Sequence, residues 1–464
     1  MLSLQSIFAT LLIAIPQLSC FEPSELVVVV LSQQEGYHAA HANLLKDRIK
    51  NDAEILDKEP PKVILTHELS INGSWTFFPL LHRLKLENAG AKWFFFCLDN
   101  TGIRLDRLVK VLSKINERKE IWVGHAIYDR EPTIIHHFAD HTKKFKYPNT
   151  ASGFALTKPL LASLSERFNT KGGPSQDFSI DAAYEFALFV LNSGNGVRFT
   201  HVPEFCVVAS KDCATYPRSF HPCGEPVSRE NIFVAVKTCQ KYHTERIPVI
   251  TKTWMKHVFH YGLFSDEMDS NVSNIYVVPH TEQGHCAKTH AILQKSYKIL
   301  IEKNIDWLII VDDDTILSMA RLTRLLTCYN PSNLIAMGER YGFRVRNSTN
   351  SGYDYLTGGA GIVLSKPLVR KIIETRMCDC PSPTAPDDMY IFGYCLNLID
   401  VPPVHSPLFH QARPLDYATG YLASQEPVSF HKFWMLDPYE VYEKWFAEID
   451  ESLNPQKKTE HTEL

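Results

Sequence analysis

Two stretches of the chain repeat one order of apolar and polar positions. Trp93 to Leu112 reads WFFFCLDNTGIRLDRLVKVL, and Trp307 to Leu326 reads WLIIVDDDTILSMARLTRLL. Each opens on a tryptophan, runs apolar for the length of a strand, closes on an acidic turn, and passes through a threonine into a helical pattern. An apolar run bounded by a turn and followed by a helix predicts a strand buried on both faces of a parallel sheet. Leu322, Leu325 and Leu326 recur at i, i+3 and i+4, which is the stripe of the helix that follows.

The likeness continues downstream in the same order. Gly153 to Leu161 (GFALTKPLL) parallels Gly361 to Val369 (GIVLSKPLV), and Asp177-Phe-Ser-Ile parallels Asp388-Met-Tyr-Ile ahead of a run suited to a helix. One match is weak, because buried strands resemble one another, but three in order are hard to attribute to composition. The halves differ where chemistry would sit. Asp312, Asp313 and Asp314 stand opposite Leu98, Asp99 and Asn100, and Gly358-Gly359-Ala360-Gly361 stands opposite Thr150-Ala151-Ser152-Gly153. The pattern predicts a duplicated α/β domain. A degenerate copy spans 21–205, and a linker spans 206–229 with Pro217, Pro222, Gly224 and Pro226. An active copy spans 230–450, followed by a polar tail over 451–464.

Composition changes this picture little. A length of 464 residues favours two cores over one, and 45% hydrophobic with 22% charged residues describes an ordinary globular chain. The net charge of -4, with scattered Lys and Arg, lacks the basic stripe of a nucleic-acid binder. The N-terminus says more. Ile7 to Leu18 is a short apolar run of signal-peptide length, so residues 1–20 are expected to direct secretion and be removed, with a membrane anchor only if they are kept. Sequons at Asn72, Asn271 and Asn347 agree with that route. So does an even set of ten cysteines beyond Cys20, which permits disulfides of unassigned pairing. Cys378-Asp-Cys380 has the wrong spacing for a zinc knuckle. The final His461-Thr-Glu-Leu464 is similar to a retrieval signal of the endoplasmic reticulum lumen, with Thr462 in place of the usual Asp.

The candidate chemistry gathers in the second half. Three adjacent carboxylates at a strand end cannot all stay ionised without a counter-cation or a shared proton. A hard divalent cation such as Mg²⁺ or Mn²⁺ meets that need. In an extended segment Asp312 and Asp314 share a face and Asp313 opposes them. The plainer reading is an acidic turn capping the helix that follows. The Gly358 to Gly361 run is either a tight turn or a place where a ligand approaches backbone N–H groups. Pro386-Asp387-Asp388 either starts a helix or supplies a general base. His410 and His431 follow apolar or aromatic residues, where most histidines are structural.

Taken together, these motifs resemble the Fringe branch of the β-1,3-glycosyltransferases. Ile232 to His257 is similar to the first strand and helix of that family, and VDDDT, TGGAGIVLS, PDDMYIFGYCLNL and PLFH follow in family order over roughly residues 230 to 440. Within it, the long N-terminal extension, Ser406 to Pro414, Ser429 to Trp434 and the HTEL tail resemble the members that extend O-linked fucose on thrombospondin type 1 repeats with glucose. The resemblance implies two tandem GT-A-like domains, a UDP-glucose donor, Mn²⁺ and inversion at the anomeric carbon. It implies Asp314 as metal ligand, joined by Asp312, and Asp388 as base with Asp387 next in line. Asp312 and Asp313 would also lie beside the nucleotide with Lys237, Thr238, Gly358, Gly359 and Gly361. The family's metal histidine is the second of an F-H-S-H motif, where this chain has Ala412 or Phe433; His431 ranks ahead of His410 because a second ligand can come from the later segment. A Fringe-like N-acetylglucosaminyl or galactosyl transferase, and a non-catalytic lectin or folding factor, are the competing expectations.

Overall fold

A computed structural model describes residues 21–139, 144–174, 176–347 and 352–453. The expected signal segment and the HTEL tail lie outside the described residues. The apolar runs become central strands of two mixed sheets. The first places Lys62–Leu65, Leu26–Leu31, Trp93–Leu98, Phe154–Thr157, Trp122–Gly124 and Thr200–His201 side by side. The second places His260–Ser265, Ile232–Lys237, Trp307–Asp312, Ile362–Ser365, Ala336–Gly338 and Val404–His405 in the same order, with Ile275–Val277 added at one edge.

The pairing is not wholly parallel, as the apolar runs alone imply. Trp93–Leu98 and Trp307–Asp312 each have a parallel neighbour on one side and an antiparallel one on the other. Both faces are nevertheless covered, so both runs are apolar throughout. Trp93, Phe94 to Phe96 and Trp307 to Val311 are all buried. Leu322, Leu325 and Leu326 are buried on the helix Met319–Leu326, as their spacing requires.

A short antiparallel pair crosses the acidic turn in each half. Thr101–Ile103 pairs with Thr215–Pro217, and Thr315–Leu317 pairs with Ser429–His431. The span 206–229 is therefore not a free linker. It holds the strand Thr215–Pro217 and the Cys206–Cys213 disulfide, and Cys223–Cys328 ties its far end to the second half. The parallel drawn between Asp177 and Asp388 shifts as well. Asp177 precedes Phe178–Ser179, a two-residue strand that pairs with Arg340–Phe343 of the second half. Asp181 instead caps the helix Ala182–Leu191. Buried Arg346 locks this seam, donating to Ser179 at 2.7 Å and to Glu185 at 2.6 Å.

Four disulfides take eight of the described cysteines and leave Cys97 and Cys239 free. Cys378 and Cys380 pair with Cys395 and Cys286. Peptide mapping without reduction should recover these four pairs. Replacing both Cys223 and Cys328 by Ser opens a crosslink of sequence separation 105. It should cost about 2–4 kcal/mol, read as a lower urea midpoint; an unchanged midpoint would contradict this account of the seam.

Candidate active site

The strand Trp307–Asp312 ends at Asp312, and the next two carboxylates lie in the turn before Thr315–Leu317. The turn is held from within: Thr315 Oγ1 accepts the Asp312 N–H at 3.1 Å and donates to the Gly359 carbonyl at 2.9 Å. Side-chain alternation then divides the acids. Asp312 and Asp314 converge on one side, and Asp313 is turned inward. Buried Asp313 accepts from Thr238 Oγ1 at 2.7 Å and from Arg246 at 2.7 Å. Burial pushes the Asp313 carboxyl up to about 6 in spite of those partners.

His431 arrives through the antiparallel pair, in register with Thr315. Its Nε2 stands 3.0 Å from Asp314 and 3.6 Å from Asp312. Its Nδ1 lies 3.0 Å from the Gln411 carbonyl, which can only accept; Nδ1 therefore carries a proton and Nε2 is aimed at the carboxylates. Among the described residues, Asp312, Asp314 and His431 offer ligand atoms within 4.8 Å of one another, so two carboxylate oxygens and one imidazole nitrogen fit a divalent cation. With only protons available, burial works against charge on His431, but Asp314 and Asp312 outweigh it and hold the imidazole above its ordinary pKa. Burial likewise works to raise Asp314, and His431 with Arg246 outweighs it and holds the carboxyl low.

The protein thus supplies part of the positive charge that the acidic triplet demands. Arg246 bridges Asp313 and Asp314 at 2.7 and 3.0 Å while its guanidinium stacks on Tyr242. Lys237, at the end of the neighbouring strand, bridges Asp312 at 3.1 Å and Asp387 at 3.0 Å. Sequence reasoning missed Arg246, Gln411 and Thr289. Arg246 lies in a segment that was legible as a strand and helix, but nothing in its spacing links it to residues 313 and 314.

The glycine run is shaped by the histidine. A Cβ on Gly359 would lie 2.3 to 2.5 Å from three ring atoms of His431, so only glycine fits there. Gly361 adopts φ +93°, where a side chain would be strained. A Cβ on Gly358 would meet only Lys237 Nζ, at 3.7 Å. His410 is not part of the group. It is fully buried, with its two ring nitrogens near the Ser429 carbonyl and Gln425, and burial lowers it to about 4.

The two acids of the PDD motif lie in unlike surroundings. Asp387 is buried and held by Lys237 and Thr289, which outweigh burial and keep its carboxyl low. Asp388 is half-buried and accepts the Met389 N–H, and burial together with the charge of Asp387 pushes it up to about 6. Their helix starts at Asp387 and runs through a π-helical turn at Tyr390–Cys395, pinned by the Cys378–Cys395 bond. The site therefore sets two carboxylates and an imidazole that fit a cation near a carboxylate whose pKa suits proton transfer.

This geometry falls inside a recognisable domain: the family model described as Fringe-like matches residues 227–456. A radical fringe β-1,3-N-acetylglucosaminyltransferase of Gallus gallus is 30% identical over 213 residues, covering 40% of this chain and 56% of that one. The second half is thus a Fringe-like glycosyltransferase domain. A β-1,3-glucosyltransferase of Mus musculus is 42% identical over 449 residues, covering 95% of this chain and 90% of its own, and one of Homo sapiens is 42% identical over 92% of this chain and 86% of its own. This chain belongs to the β-1,3-glucosyltransferase family.

Gly359→Ala forces the His431 ring off its seat. It should weaken divalent-metal binding about tenfold or more and lower the melting temperature, because the added methyl overpacks a buried seat. Calorimetric titration of Mn²⁺ in the presence of UDP checks this, and unaltered affinity would contradict the geometry.

Proposed function

We propose that this chain transfers glucose from UDP-glucose, with inversion and in β-1,3 linkage, to O-linked fucose on thrombospondin type 1 repeats. The observation that carries the reading is 42% identity to β-1,3-glucosyltransferases over nearly the whole chain, extended N-terminal half included. The site's chemistry agrees with it. Asp312, Asp314 and His431 would hold the metal, proposed to be Mn²⁺. When bound, the ion supplies positive charge to the diphosphate leaving group.

The remaining steps belong to side chains. Asp388 takes the proton of the acceptor hydroxyl as its oxygen bonds to the anomeric carbon. The bond from that carbon to the phosphate oxygen breaks, and UDP leaves with the electron pair. Attack from the face opposite the leaving group inverts the centre. Asp387 cannot easily share this task, because its ion pair with Lys237 keeps it a weak base. Lys237 in turn holds Asp312 in place.

The matching strand order of the two sheets supports a reading as tandem GT-A-like domains, the first without catalysis. We further propose residence in the lumen of the endoplasmic reticulum. Four disulfides and the exposed sequon residues Asn72 and Asn271 support a secretory route. No helix among the described residues is long and apolar enough to cross a membrane.

A base must be ionised to act. With Asp388 at about 6, kcat/KM should be level above that pH and fall about tenfold per unit below it. Asp388→Asn should lower turnover by about 10²–10⁴-fold, erase that acid limb and keep UDP binding; full turnover would reassign the base. In a transfer assay, UDP-glucose with a fucosylated thrombospondin repeat should be the productive pair. Preference for UDP-N-acetylglucosamine or for a fucosylated EGF repeat would instead favour a Fringe-type activity.

A further inference from the structure

A cavity of about 390 Å³ lies between the two halves, at the carboxyl ends of the N-terminal strands. Ligands of open α/β sheets occupy that end. None of Asp312, Asp314, His431 and Asp388 lines it, so it is distinct from the site above.

Strand register shows what stands there. Leu31 pairs with Leu98 as Lys237 pairs with Asp312. Pro217 pairs with Thr101 as His431 pairs with Thr315. Counting on from those strands, Asn100 takes the place of Asp314. The lysine, both ligand carboxylates and the histidine are therefore replaced by Leu31, Leu98, Asn100 and Pro217. Asp99, the remaining acid, is occupied by His38 at 2.7 Å. This corner has no donor set for a divalent cation.

The cavity is nonetheless lined by polar side chains. Among the described residues, Asn100 Oδ1, Arg218 Nε and Arg340 Nε are buried without a hydrogen-bond partner, and all three side chains line the cavity. Arg218 donates through Nη2 to the Asp99 carbonyl. Arg340 lies over the Trp75 ring, with Nε 4.0 Å from Asp354, beyond hydrogen-bonding range. Amide and guanidinium side chains beside aromatic ones favour a ligand that offers hydroxyl groups as well as apolar faces. Tyr37, Trp75, Phe220 and Tyr417 supply aromatic wall. Asp99, Asp181, Glu339 and Glu426 set four carboxyls against two guanidinium groups. Burial keeps His41 and His405 below their ordinary pKa and pushes Glu339 up to about 8. The lining thus carries no excess of positive charge for a diphosphate. Apolar faces with hydroxyls at the edge are what aromatic walls and planar polar side chains accept together.

We propose that this cavity is a metal-independent binding site for a neutral saccharide unit, separate from the catalytic corner. Saturation-transfer NMR on the full chain in EDTA tests it, with glucose, fucose, mannose and N-acetylglucosamine as free sugars and as methyl glycosides. At least one should receive saturation. Signal from the methyl glycosides would identify a residue of a glycan as the source, and signal from the reducing sugars alone a free sugar. Affinity should fall tenfold or more in Arg218→Met and in Ser219→Trp, while UDP–Mn²⁺ binding is unchanged. Ser219 is an exposed position at the rim, so its variant keeps the test decisive if Arg218→Met does not fold. Absence of saturation for every sugar, signal undiminished in Ser219→Trp, or displacement of the sugar by UDP without metal would each overturn the proposal.

Discussion

The Fringe-like half turns on charge gathered at the end of one strand. Three consecutive carboxylates in a partly buried turn repel one another strongly, and the fold answers from three directions. Lys237 comes from the adjacent parallel strand, Arg246 from just before the helix that follows it, and His431 from a short strand near the far end of the chain. None of these is close in sequence to Asp312. The sheet order, the glycine run and the late strand Ser429–His431 are all needed to bring them together. Where His431 and the outer two acids face one another, their ligand atoms are close enough together to fit a divalent ion.

The same arrangement explains the division of labour between neighbouring acids. Asp313 and Asp387 are held by basic or hydroxyl partners and act as fixed parts of the frame. Asp314 faces the histidine, and Asp388 is left with one backbone donor and an elevated pKa. The members of each pair are adjacent in the chain. Environment separates them chemically.

Much of this was legible in the residues. The two tryptophan-led runs are central strands, the leucine stripe packs as its period requires, and the sheets of the two halves share a strand order. Alternation along an extended segment anticipates that Asp312 and Asp314 face together while Asp313 turns away. What was not legible depends on contacts distant in sequence. His410 and His431 each follow an apolar or aromatic residue, and only strand register shows that one joins the acids and the other fills the core. The span 206–229 is rich in proline and glycine, as linkers are, yet two disulfides and a strand bind it into the fold. Arg246 carries no local signature at all, because its role exists only once Asp313 and Asp314 have been folded onto it.

Asp312, Asp314 and His431 are placed to hold a cation together, and His410 is not. Electron paramagnetic resonance of Mn²⁺ titrated into the UDP-saturated protein tests it most directly, because bound and free ion differ in signal. Wild type and His410→Asn should capture the ion, and His431→Ala should leave it free. Equal capture by His431→Ala and wild type, or no capture by wild type, would contradict it.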